Sequence, residues 1–130
     1  MGFQIAAYEH VGIRVTDRDQ ARQFYEKLGW WEVIDLPEHH ANEMVNEAGI
    51  YINLIFNGVK RKRNILQDEP LKYAGVTHVA FVVKDFDDLL KTLEHEDIPL
   101  SGGPHIYSDR RRVIFVRDPD RNVLEFNEVF

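Results

Sequence analysis

Apolar and polar residues alternate through His10-Val11-Gly12-Ile13-Arg14-Val15 and again through His78-Val79-Ala80-Phe81-Val82-Val83, the two-residue period of a half-buried β-strand. Each run closes on an aspartate, and the second copy follows the first at a constant spacing of 68 positions, His10 to His78 and Asp17 to Asp85. Both aspartates are expected to cap a helix by accepting hydrogen bonds from the free amides of its first turn. The helices themselves are predicted by apolar stripes, Ala21, Phe24, Tyr25 and Leu28 in the first half and Phe86, Leu89, Leu90 and Leu93 in the second. Gly29 supplies a stop for the first. Three strand-like runs follow each helix: 30–35, a weaker 43–46 and 50–56 in the first half, then 100–107, 112–116 and 123–127 in the second. The turn Asp118-Pro119-Asp120-Arg121 links the last two. Each half thus reads as strand, helix, three strands.

The expected fold is α+β, with paired βαβββ modules forming a curved, cleft-enclosing mixed sheet. One domain spans 1–130, with module 1 at about 4–58, a polar connector at 59–73 and module 2 at about 74–130. Helices cover one sheet face and the other faces the cleft. Alternation assigns Val11, Ile13 and Val15 to the helix side of the first strand, leaving His10, Gly12 and Arg14 on the cleft side. In the fifth strand His78, Ala80 and Val82 take the cleft side, and in the last Glu125 does so with Val123 and Asn127. Aligning the terminal strands of the halves places Asn53 opposite Glu125 in the repeat, flanked by Tyr51 and Ile55. Repeat symmetry therefore groups His10, Asn53, His78 and Glu125.

Composition narrows the chemistry. A chain of 130 residues with 44% hydrophobic content supports one compact domain. A net charge of -6 gives no general attraction to nucleic acid or to anionic membranes. With no cysteine, disulfides, thiolate ligands and cysteine nucleophiles are excluded. The N-terminus has no signal-peptide pattern and no stretch approaches the length of a membrane helix, so a cytoplasmic protein is expected. The basic run Lys60-Arg61-Lys62-Arg63 reads as a solvated connector, and His39 and His40 as surface residues. Of Arg110, Arg111 and Arg112, periodicity does not say which faces the cleft.

The segments YEHVGIRVTDRDQARQFYEKLGW, GVTHVAFVVKDFDDLL and VRDPDRNVLEFNE resemble the vicinal oxygen chelate superfamily, the glyoxalase, bleomycin-resistance and extradiol dioxygenase family. The aspartate-proline-aspartate turn before a strand carrying glutamate is the most specific of these signals. The resemblance implies a divalent cation held by His10, His78 and Glu125, a small oxygenated substrate, and a homodimer. Two departures stand out. Glyoxalase I and its epimerase relatives usually carry glutamate or glutamine where this chain has Asn53, and the family turn usually has glycine where it has Arg121.

Two neutral imidazoles and one carboxylate leave open positions on an octahedral ion, the arrangement suited to iron(II) and dioxygen. The leading expectation is an iron(II)-type dioxygenase that chelates its substrate through two oxygens; manganese(II), nickel(II) and zinc(II) share the same donors. The alternatives are a glyoxalase I-like lyase or isomerase, a fosfomycin-type resistance transferase, and a metal-free binding protein of the bleomycin-resistance kind. Arg14, Asn53, Ile55 and Asn127 are candidate substrate contacts. Tyr51, His105 and Tyr107 are candidate acid–base groups, the last two predicted to share one face of the sixth strand.

Overall fold

The computed structural model describes residues 2–129. The chain divides into two compact units, residues 1–58 and 59–130. In the first, β1 (His10–Arg14) leads to helix α1 (Arg18–Lys27), then β2 (Trp31–Leu36), a 3-10 turn at Pro37–His39, β3 (Ala41–Val45) and β4 (Tyr51–Ile55). In the second, β5 (His78–Val83) leads to α2 (Phe86–His95), β6 (Leu100–Ile106), β7 (Arg112–Arg117) and β8 (Val123–Glu128). Both units build a four-stranded mixed sheet, ordered β1-β4-β3-β2 and β5-β8-β7-β6. The first strand pairs parallel with the last, and the remaining pairs are antiparallel. The two βαβββ modules read from the 68-residue repeat are therefore present with one shared topology.

Helix α1 forms where the sequence supplies both a cap and a stripe. Asp17 sits in extended backbone and accepts from the Gln20 amide at 2.9 Å, while Ala21, Phe24 and Tyr25 are buried. Phe24 meets Tyr25 edge-on at 5.1 Å, and Tyr25 meets Trp30 at 6.2 Å. The Trp30 indole donates to the Ile50 carbonyl at 3.0 Å, so this buried ring leaves no orphaned donor. Trp31 turns the other way and is half exposed. Beneath α1, the wholly buried Asn42 donates to Glu32 at 2.8 Å and accepts from the Leu54 amide at 2.9 Å. Glu32 in turn receives Arg18 at 2.8 Å. Each polar group in that chain is satisfied, as burial demands.

The apolar interior of the second unit contains Phe86, Leu93, Val113, Ile114, Val116, Leu124 and Phe126. Residues 59–73 belong to this unit. Asp68 and Arg117 form a two-pronged pair, both contacts at 2.9 Å, and the Asn64 side chain donates to the Arg121 carbonyl at 3.1 Å. Lys60 reaches the Pro119 carbonyl at 3.1 Å.

Three expectations need correction. Asp85 makes no side-chain bond to α2; its backbone is left-handed, φ 53, which turns the carboxylate away from the amides it was expected to hold. Strand β3 begins at Ala41 rather than 43, because Asn42 pairs inside the sheet although a hydrophobic pattern does not register it. Strand β6 ends at Ile106, so Tyr107 does not share a strand face with His105.

Candidate functional site

In the second unit, strand register lays out the sheet face opposite α2. His78, Val123 and Arg117 form one row across β5, β8 and β7. Ala80, Glu125, Phe115 and Gly102 form the next, and Val82, Asn127, Val113 and His105 a third. The first and second rows meet at His78 Nε2, which stands 2.9 Å from Glu125 Oε1. His78 Nδ1 contacts Thr77 Oγ1 at 2.8 Å, and Asn127 Nδ2 donates to Glu125 Oε2 at 2.7 Å. His78 and Glu125 side chains remain 30% and 16% exposed, open enough to be reached but sheltered enough for fixed geometry.

The Phe115 ring lies between two imidazoles, edge-on to His78 at 5.9 Å and to His105 at 6.4 Å. Gly102, opposite Phe115, has no side chain to cover that ring; an added Cβ would meet Phe115 at 3.3 Å. His105 is exposed, and Tyr107 sits in the turn after β6 with Arg111 stacked 6.0 Å from its ring centroid. Asn127 is 8% exposed and its amide is engaged with Glu125. Arg112 is on the helix side: it bonds Glu128 and Asp87 and stacks over Phe86 at 4.9 Å. Those bonds hold the Glu128 carboxyl below its ordinary range, the Arg112 side-chain bond being the main cause. Arg117 is the arginine on the site face. Its side-chain bond, with the Asn64 amide second, draws the Asp68 carboxyl from 3.8 down to about 2.

In the first unit, the face opposite α1 carries His10, Gly12 and Arg14 from β1 beside Tyr51, Asn53 and Ile55 from β4, in direct register. His10 Nδ1 contacts Glu9 at 3.1 Å, and among the described residues its Nε2 has no partner. Arg14 donates to Asn57 at 3.0 Å, and Tyr51 is 41% exposed. Asn53 Oδ1 is buried with no hydrogen-bond partner among the described residues. Such an oxygen is uncommon in a folded protein and marks a place for an external donor. His39 and His40 are exposed on the 3-10 turn and its cap.

His78 and Glu125 supply two donor atoms of the kind a divalent cation takes. Two ligand atoms bound at right angles, each about 2.1 Å from an ion, stand about 3 Å apart, close to the 2.9 Å between His78 Nε2 and Glu125 Oε1. Among the described residues, no group of three or more His, Asp or Glu side chains that could hold a metal ion is present, and His78 and Glu125 meet as a pair. Sequence reasoning missed Thr77, Phe115 and Arg117. The last two were accessible from alternation along β7, which puts 113, 115 and 117 on one face; Thr77 precedes its strand and carried no periodic signal.

A profile of the Glyoxalase/Bleomycin resistance protein/Dioxygenase superfamily matches residues 7–126. Among solved structures, a glyoxalase/dioxygenase from Nostoc punctiforme aligns with a TM-score of 0.75 at 19% identity, covering 92% of this chain and 88% of that one. Lactoylglutathione lyase from Agrobacterium tumefaciens aligns with 0.70 at 21%, covering 95% and 93%. A mutant fosfomycin resistance protein, FosX, from Listeria monocytogenes, complexed with Mn(II) and 1S,2S-dihydroxypropylphosphonic acid, aligns with 0.74 at 15%, covering 98% and 95%. At these identities the structures establish the fold, and the profile match establishes the family. With the repeated βαβββ topology and a match over nearly its whole length, the chain belongs to the glyoxalase, bleomycin resistance protein and dioxygenase superfamily.

Proposed function

We propose that the chain is a divalent-metal-dependent enzyme in which His10, His78 and Glu125 hold one cation, and that its activity is that of an iron(II)-type dioxygenase. The observation that carries this reading is the 2.9 Å spacing of His78 Nε2 and Glu125 Oε1 on an accessible sheet face. Two imidazoles with one carboxylate suit iron(II) and leave coordination positions for the two oxygens of a small substrate. Manganese(II), nickel(II) and zinc(II) would use the same donors. The cation, when bound, supplies Lewis acidity and a template for those oxygens.

The protein's own groups would do the rest. Arg14 and Tyr51 flank His10 and orient an oxygenated substrate. Asn53 Oδ1, buried without a donor, accepts from a substrate hydroxyl, and Ile55 adds an apolar wall. His105, whose ring meets Phe115 at 6.4 Å, and Tyr107 in the adjacent turn would serve as the acid–base groups. Asn53 supports the dioxygenase reading over a glyoxalase-type isomerase, since a neutral amide offers no proton-abstracting base where a carboxylate would.

Anaerobic reconstitution with iron(II), followed by oxygen uptake over a panel of catechols and α-hydroxy ketones, tests the reading. Uptake is expected with at least one substrate and is lost in His78→Ala. A metal-loaded protein that consumes no oxygen with any of them sinks the dioxygenase activity; turnover of a methylglyoxal–thiol adduct would transfer it to the lyase class, and thiol or water addition to fosfomycin to the transferase class. A protein that retains no transition metal under any loading is instead a binding protein.

A further inference from the structure

Both histidines are contacted at the same ring atom. The residue immediately before each engages its Nδ1: Glu9 Oε1 at 3.1 Å for His10 and Thr77 Oγ1 at 2.8 Å for His78. The effect is to leave Nε2 as the ring nitrogen not engaged by the preceding residue in both repeats. Glu125 is treated alike, since Asn127 Nδ2 holds Oε2 at 2.7 Å and leaves Oε1 facing His78. Three neighbouring side chains each occupy one of the two ligand-capable atoms of a candidate ligand.

We infer that Thr77 and Asn127 are positioning residues which select His78 Nε2 and Glu125 Oε1 as the metal-ligating atoms, with Glu9 in a weaker, equivalent role toward His10. The inference rests on the metal-site reading of Proposed function. A carboxylate only accepts hydrogen bonds, so a neutral His78 ring bonded to Glu125 carries its hydrogen on Nε2, and the Thr77 hydroxyl then donates to Nδ1. A metal on Nε2 requires that nitrogen's lone pair. The ring proton must then lie on Nδ1, and Thr77 must accept from it. A threonine hydroxyl serves in both states by rotating about one bond, since it is donor and acceptor together. A backbone carbonyl there could serve only the loaded state. Asn127 has a separate effect: with Oε2 engaged by an amide, Glu125 presents one oxygen and binds through one atom, preserving open positions on the ion. Thr77 is half-buried whereas the Glu9 side chain is 87% exposed; solvent competition makes the Glu9 contribution the smaller.

The experiment measures Mn(II) affinity by electron paramagnetic resonance and, with zinc(II) as a diamagnetic probe, the ¹⁵N shifts of the His78 ring. Thr77→Val and Asn127→Leu are expected to weaken Mn(II) binding about 10–100-fold, the usual range for losing a partner behind a ligand. Thr77→Ser, which keeps the hydroxyl, is expected to stay within about threefold of the parent, and Glu9→Gln within about the same range. Thermal unfolding of the metal-free variants separates lost positioning from lost folding, and the serine variant gives the same separation if valine disturbs the strand. The ring proton is expected on Nε2 without zinc and on Nδ1 with it. If His78→Ala abolishes Mn(II) binding while Thr77→Val leaves it unchanged, or if zinc takes Nδ1, the positioning inference is overturned and the metal site stands. If the parent protein binds neither ion, both fall together.

Discussion

The Arg117–Asp68 pair shows how one interaction sets a pH response. Its two 2.9 Å contacts hold the Asp68 carboxyl at about 2, below the 3.8 it has when free. The stabilisation is fully present above the unfolded value and is lost as pH falls from about 3.8 toward 2. Asp68→Asn is expected to cost about 1 kcal/mol at neutral pH, the upper part of the range for partly exposed pairs. Urea titrations at decreasing pH should show that difference disappearing once both proteins are below about pH 2. A persistent gap in strong acid would mean the pair is held by packing rather than charge. Arg121 makes a second case. Its φ of 69 is a left-handed value, unfavourable for any side chain, which explains why glycine suits this turn. Arg121→Gly is expected to raise stability by up to about 1 kcal/mol, relief of backbone strain being partly offset by the greater freedom of glycine when unfolded.

At the scale of the elements, the two helix starts look alike in sequence and differ in structure. Asp17→Ala should destabilise by about 1 kcal/mol through loss of the bond to the Gln20 amide. Asp85→Ala should cost less than half as much, since no such bond exists there; equal losses in chemical denaturation would contradict the assigned caps. The repeat made the aspartates equivalent by identity, but identity carries no φ, and the left-handed turn at Asp85 was invisible for that reason. Alternation and stripe spacing did expose both helices, the strands and the assignment of faces, because burial of Ile13, Val15, Ile52 and Leu54 enforces them directly. It failed where side chains pair with backbone or where register slips. Asn42 replaces an apolar residue at a buried position by bonding Leu54, and a shift between Glu32 and Ile34 breaks the two-residue period in β2. The sheet faces of His10 and His78 were legible because these residues recur at equivalent strand positions. Thr77 was not, since it lies outside any strand, whereas the face of Phe115 was available from alternation along β7.

For the molecule as a whole, the shared topology of the units predicts similar sensitivity at matched core positions. Ile52 and Leu124 are 0% and 1% exposed, and replacing either with alanine should cost about 2–5 kcal/mol, read from denaturant midpoints. A much smaller loss in one unit would show that its interior relaxes around the cavity. Among the described residues no helix is long and apolar enough to cross a membrane. The homodimer implied by the family resemblance is a proposal, checked by sedimentation over a range of concentrations. The sheet order carries one more consequence. Strand β5 lies at the end of its sheet and is joined to it through β8 alone, and the His78–Glu125 contact spans those two strands across 47 positions of chain. An ion gripping both side chains would stitch that border strand to its neighbour. Deuterium uptake at the amides of residues 78–83 should therefore slow on loading with zinc(II), while uptake in β6, at the opposite border, should be unaltered.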